Sequence, residues 1–274
     1  MGWRTGKAGA DGHVAGLLRE LHRAKGRDQV IAVVDQVLKV IKAAGVTPTA
    51  GTYTKLIEAC AAARDLGKAF EVLAEIKAAG VAPAYHTYNA MIEACGAAGD
   101  LNKAFEVLAE IKAAGITPAA RHFNALLRAC GRGFSHAPDL APDVDTAREL
   151  AAEMDTAGIM PNAGTFNALI LVSGKAWGFS EAVAVLTKME AAGIAPNLGT
   201  FNALVLVCLH TNDLSKAFEV LAEAKAAGVT PTARTFGALL EACNEAGDLG
   251  KALEVAAAME AAGFSPDATA GIDR

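Results

Sequence analysis

Aromatic residues make up only 5% of the 274 residues, although 53% are hydrophobic. Such a core is built from Ala, Leu, Val and Ile rather than around large rings. No apolar run approaches the roughly 20 residues that a helix needs to cross a bilayer, and charges break every segment, so no membrane association is expected. There is no C-x-x-C pair and no Cys/His box of zinc-ligand spacing, so no metal is expected either. No acidic cluster stands apart from the rest of the pattern, and no deaminase signature occurs. The chain is therefore expected not to be an enzyme and to carry no cofactor. An excess of positive charge is also missing: 25 Lys and Arg face 30 Asp and Glu, a net charge of −5. An acidic chain lacks the electrostatic drive that dominates nucleic-acid affinity. DNA is not an expected partner.

What is present is a period. Pro48, Pro83, Pro118, Pro161, Pro196, Pro231 and Pro266 each follow a glycine by three residues, at steps of 35, 35, 43, 35, 35 and 35. A period this long in a helix-forming sequence marks a solenoid, whose units bury their apolar faces against their neighbours. Within one unit, Tyr53, Leu56, Ile57 and Cys60 fall on a single helical stripe. Thr52 is placed to cap that first helix, and Asp65 to cap a second carrying Leu66, Ala69, Phe70, Leu73 and Ile76. Gly80 supplies the left-handed stop, and Pro83 blocks continuation. Aspartate recurs at the second cap as Asp100, Asp213 and Asp248, while Gly178 replaces it once, with Ser180 close by.

The expected fold is all-α: a right-handed α-solenoid of about seven helix–turn–helix repeats, with the first helices on the concave side. Residues 1–14 form an N-terminal extension and 15–267 the array. Its units are 15–49 (degenerate), 50–84, 85–119, 120–162, 163–197, 198–232 and 233–267. Residues 268–274 are the truncated start of a further unit or a tail. The unit 120–162 is eight residues too long, and the excess falls around Gly133–Pro142, where Pro138 and Pro142 make a loop before Asp143 restores the cap. Charge is uneven. Residues 1–49 hold eight basic against four acidic residues, and 233–267 hold two against six. Cys60, Cys95, Cys130, Cys208 and Cys243 share one register position, with Ser173 in the remaining unit. One cysteine per unit, at one position, is a small packing residue, and reduced, buried thiols are expected.

His86-Thr87-Tyr88-Asn89-Ala90-Met91-Ile92 and Gly164-Thr165-Phe166-Asn167-Ala168-Leu169-Ile170, each in a unit closing on Gly-x-x-Pro, resemble the pentatricopeptide repeat (PPR) family. The resemblance covers essentially residues 15–267. It implies single-stranded RNA as partner, one base per repeat, read by the fifth residue of a unit together with its last. The fifth positions are Thr54, Asn89, Asn124, Asn167, Asn202 and Gly237, and the closing positions Ala84, Ala119, Asn162, Asn197, Thr232 and Asp267. Three consecutive pairs are polar on both sides: Asn124/Asn162, Asn167/Asn197 and Asn202/Thr232. In the family such pairs favour pyrimidines. The same three units carry Arg132, Lys175 and His210 at position thirteen, where the resemblance implies a phosphate contact. At position two, where members usually place Val or Ile against the base, stand Gly51, His86, Arg121, Gly164, Gly199 and Arg234. His86, Arg121 and Arg234 are candidates for stacking on a base. His122 replaces threonine at the cap position and reads as local structure.

By the same resemblance the chain is an organellar RNA-binding protein, in chloroplast or mitochondrion, acting in transcript stabilisation, processing or translation. The alternative is a non-catalytic scaffold in a ribonucleoprotein or protein assembly. Acidic charge, glycine at position two and alanine at closing positions favour the alternative, and the central asparagine run favours RNA.

Overall fold

The computed structural model describes residues 2–44, 48–131 and 143–264. Among them are fourteen helices and no strand. They are α1 (Gly2–Leu21), α2 (Arg27–Ala44), α3 (Ala50–Ala62), α4 (Leu66–Ala78), α5 (Tyr85–Ala98), α6 (Leu101–Ala113), α7 (Ala120–Gly131), α8 (Val144–Thr156), α9 (Ala163–Trp177), α10 (Phe179–Ala191), α11 (Leu198–His210), α12 (Leu214–Ala226), α13 (Ala233–Glu245) and α14 (Leu249–Ala261). The fold is an all-α helical-repeat solenoid in two compact units, Met1–Arg132 and Gly133–Arg274. α1 runs through residue 15, so the extension and the degenerate first unit share one helix. The insertion around Gly133–Pro142 lies outside the described residues.

In the first unit α3 packs on α5 and α5 on α7; in the second α9 packs on α11 and α11 on α13. Within the units, α1 packs on α2, α3 on α4, α5 on α6, α9 on α10, α11 on α12 and α13 on α14, each the second helix of the same repeat. The interior between repeats is aliphatic, with Leu56, Ile57, Met91, Ile92, Leu126 and Leu127 fully buried. All five cysteines are buried thiols. Burial pushes Cys60, Cys95 and Cys208 up to about 12, and it raises Cys243 as well.

Helix ends follow the expected chemistry with one correction. Asp65, Asp100, Asp143, Asp213 and Asp248 each accept a backbone N–H three residues on, at 2.9 to 3.0 Å. At the tail, Gly80 has φ 67° and the Val81 N–H reaches back to Ile76 O at 3.1 Å, which closes the helix. Thr52, however, is not the cap of α3. The helix begins earlier, at Ala50, and Thr49 is the cap, accepting the Thr52 N–H at 3.4 Å. The residue closing one repeat thus starts the first helix of the next, and the threonine at position three sits inside the first turn.

Close approach of α5 to α7 and of α9 to α11 goes with glycine at position twelve. A Cβ on Gly96 would lie 2.8 Å from Ala129 Cβ, and one on Gly174 would lie 2.4 Å from a Val207 methyl.

Candidate nucleic-acid interface

The closing residues are helix caps. Asn162 Oδ1 accepts the Thr165 N–H and Asn197 Oδ1 accepts the Thr200 N–H, each at 3.2 Å. The threonine hydroxyls accept the cap N–H groups in return, at 3.1 and 3.0 Å. This reciprocal arrangement satisfies two amides that a helix start leaves open. For Asn197 it also places the closing side chain against the preceding first helix, α9.

Position five of the preceding first helix faces the same turn. Asn167 Nδ2 donates to Asn197 Oδ1 at 3.2 Å, and the Thr200 hydroxyl donates to Asn167 Oδ1 at 2.7 Å. The pair Asn167/Asn197 is thus in direct contact. Asn202 and Thr232 are joined through Thr235, whose hydroxyl donates to Asn202 Oδ1 at 2.7 Å and lies 3.1 Å from Thr232 Oγ1. Beside them opens a cleft of about 280 Å³ lined by Asn202, Val205, Leu206, Arg234, Thr235 and Ala238. Arg234 is exposed on its rim, and Leu206 offers an exposed apolar wall.

The other positions are arranged differently. Thr54 is buried; its hydroxyl donates to Ala50 O at 2.9 Å and lies 2.9 Å from Thr87 Oγ1. Asn124 is buried in the first compact unit, and Asn162, exposed, belongs to the second. Asn89 is half-buried with its Oδ1 enclosed and without a hydrogen-bond partner. His122, fully buried, stands where the five other regular units have threonine: its Nδ1 accepts the Ala119 N–H at 3.0 Å and its Nε2 lies 3.2 Å from Tyr85 O.

A family model described as the pentacotripeptide-repeat region of PRORP matches residues 17–135, 116–220 and 200–270. The chain belongs to the pentatricopeptide repeat family. Among solved structures, the PPR protein PPR10 from maize is similar with a TM-score of 0.57 and 26% identity, over 86% of this chain and 33% of that one. PPR10 in complex with an 18-nt psaJ RNA element is similar with a TM-score of 0.54 and 25% identity, over 94% of this chain and 37% of that one. The chain therefore spans about a third of the length of these matched proteins. A comparison with curated proteins finds no match.

In this PPR chain the position-two side chains of the first compact unit cluster on an aromatic residue that sequence reasoning passed over. The His86 and Tyr85 ring centroids are 3.7 Å apart, and the Arg121 guanidinium sits 4.5 Å from the Tyr85 centroid. Both flanking side chains are exposed. An aromatic immediately before position two, at the first residue of a repeat, was the available signal.

Of the position-thirteen cations, Arg132 lies outside the described residues. Lys175 is half-buried in the last turn of α9, and burial holds its pKa below the usual lysine value. His210 is exposed at the end of α11. Its pKa is held below the usual imidazole value by desolvation and the nearby Lys175 charge, and a hydrogen bond to the Lys175 backbone offsets this in part. The structure thus brings Lys175 and His210 together. The second compact unit combines amide donors, an apolar-walled cleft and adjacent cations, which are the elements for holding a base edge and a phosphate.

Proposed function

We propose that this PPR array binds single-stranded RNA, favours pyrimidines through repeats 120–162, 163–197 and 198–232, and performs no catalysis itself. Its role is to stabilise, process or allow translation of a transcript in a chloroplast or mitochondrion, alone or within a ribonucleoprotein. The observation that carries the reading is the meeting of position five with the closing residue. Asn167 touches Asn197, and Asn202 lies beside a cleft with Arg234 on its rim. An amide so placed offers hydrogen-bonding groups to a base edge, while the arginine offers a planar cation to its face. The similarity to PPR10, solved with an RNA element, supports the same direction.

The test is binding of short single strands to the whole chain. Replacing Asn124, Asn167 and Asn202 together by Ala is expected to weaken binding to a pyrimidine-rich RNA. Replacing Thr54 by Ala is expected to matter little, since its hydroxyl is already engaged within the fold. Equal losses for both variants would overturn the assignment of readers.

A second reading has an observation of its own. Leu249 and Leu253, one turn apart on α14, are each 73% exposed. Such an apolar strip favours a protein surface as partner, as in a scaffold of a larger assembly. Retained association with protein partners after the triple asparagine substitution would select it.

A further inference from the structure

Position three of α11 and of α13 has two tasks. In Thr200 and Thr235 a single oxygen accepts the N–H of the helix-capping residue, at 3.0 and 3.3 Å. The same oxygen has one proton to give, and it goes to the reader of the preceding repeat: Asn167 Oδ1 or Asn202 Oδ1, both at 2.7 Å. That length is typical of O–H···O and short for N–H···O.

For Asn167 the orientation is determined a second time. Asn197 Oδ1 takes the backbone N–H of Thr200, a group that only donates, so the atom there is the oxygen. The Asn167 atom 3.2 Å from it must then be the NH2. Asn167 Oδ1 is left facing the Thr200 hydroxyl. In both repeats the reader's carbonyl is held by the threonine, and N–H donors remain for a ligand.

His122 fulfils only the first task. Its Nδ1 accepts the Ala119 N–H, as a threonine oxygen would. In the neutral ring the donor is then Nε2, on the far edge, and it is engaged by the Tyr85 carbonyl. Threonine places acceptor and donor on one atom, whereas imidazole separates them by the width of a ring. The reader that should receive the proton is Asn89. Its Oδ1 is the one buried side-chain polar atom among the described residues that lacks a partner.

We infer that position three is a positioning site that fixes the polarity of the reader amide in the preceding repeat, and that His122 leaves Asn89 unlocked. Repeat 85–119 therefore discriminates between bases less than repeats 163–197 and 198–232. The consequence rests on the RNA-binding reading; the lock itself is a property of the protein without RNA. Uracil and cytosine are the informative pair. Their donors and acceptors are reversed at ring position three and at the exocyclic group on carbon four. An amide of fixed polarity separates them at either contact, and one that turns over about its last bond accepts both.

Two measurements test this on the whole chain. The first is NMR relaxation of the asparagine side-chain NH2 groups without RNA. The amides of Asn167 and Asn202 are expected to be ordered and that of Asn89 mobile. Thr235→Val should mobilise Asn202, Thr235→Ser should not, and His122→Thr should quieten Asn89. The second is competition between oligonucleotides with uracil or cytosine at the base facing one repeat. Thr235→Val should move the ratio at repeat 198–232, which Asn202 reads, toward one, by roughly three- to tenfold, and Thr235→Ser should retain it. If His122→Thr fails to fold, the Thr235 pair still decides. An Asn89 amide as ordered as that of Asn167 overturns the inference. So does a ratio unchanged by Thr235→Val in protein that binds RNA. Failure of the unaltered chain to bind any RNA overturns the RNA-binding reading instead, and the relaxation comparison then decides the lock alone.

Discussion

The side-chain nitrogen of Asn167 occupies the space that a Cβ on Gly199 would need: the two would lie 2.4 Å apart. Glycine at position two therefore does more than omit a wall against the base. It lets the reader of the preceding repeat fold down onto the helix start and reach Asn197. Gly199→Ala is expected to swing Asn167 away and break that hydrogen bond, which is worth about 0.5–1.5 kcal/mol. Alanine's advantage in a helix, up to about 1 kcal/mol, offsets the loss. Stability in urea should thus change by less than about 1 kcal/mol, while affinity for a pyrimidine-rich strand changes. A large stability change with unaltered RNA binding would mean that the contact is only structural.

Two glycines at position twelve should behave in the opposite way. A Cβ at Gly174 would meet both Val207 methyls, at 2.4 and 2.7 Å, and Ala182 Cβ at 3.0 Å. Overpacking of this kind costs about 1–3 kcal/mol, more than the helix propensity returns. Gly174→Ala, and more mildly Gly96→Ala, should lower the denaturation midpoint. Gly250→Ala is the control. Its Cβ would meet only Asp248 Oδ1, at an ordinary 3.5 Å, so it should stabilise.

Much of this was legible in the sequence because periodicity is a property of spacing. The tail glycines and prolines, the aspartate caps and the stripe through Leu56, Ile57 and Cys60 need only the register to be placed. Two things were not legible. Thr52 looked like a cap because hydroxyls favour caps, but the closing residue one turn earlier fills that place. The spacing Asn162-x-x-Thr165, repeated at Asn197-x-x-Thr200, carried the signal of a reciprocal cap. Nor does composition tell where a proton goes. That Asn167 is tied to Thr200, while Asn89 loses its equivalent to His122, depends on which edge of a side chain faces a neighbour.

His122 also makes stability depend on pH. Burial is the main reason its pKa lies below the usual imidazole value; the Arg121 charge adds to this, and the contact with the Tyr85 backbone opposes it. The folded chain thus takes up this proton less readily than the unfolded chain, whose histidine titrates near 6.5. The contribution is complete above that value and is lost as pH falls through and below it. The urea midpoint should drop between about pH 7.5 and about pH 5.5 by more in the native chain than in His122→Thr. Equal drops would show that the ring is not the titrating group.

The cysteines should be inert until the fold opens. With thiols pushed up to about 12 at Cys60, Cys95 and Cys208, thiolate is scarce near neutral pH, and burial blocks access as well. A disulfide reagent should label almost nothing in native protein and all five thiols in denaturant. Rapid labelling of the native chain would place one of them at an exposed edge.

Lys175 and His210 share one neighbourhood but should respond to different variables. A phosphate contact releases counterions without reading sequence, so Lys175→Ala should weaken all single strands alike. The slope of log affinity against log salt should become shallower by roughly 0.7. His210 is uncharged at neutral pH, since desolvation and the Lys175 charge depress its pKa. His210→Ala should therefore change little near about pH 7.5 and cost affinity only as pH falls below the ordinary imidazole value of about 6.5, where a bound phosphate draws the proton in. The effect should also grow at low salt, because both groups act through charge. An unchanged salt slope in Lys175→Ala would put these cations outside the RNA path, and the exposed leucines of α14 would then be the surface to pursue.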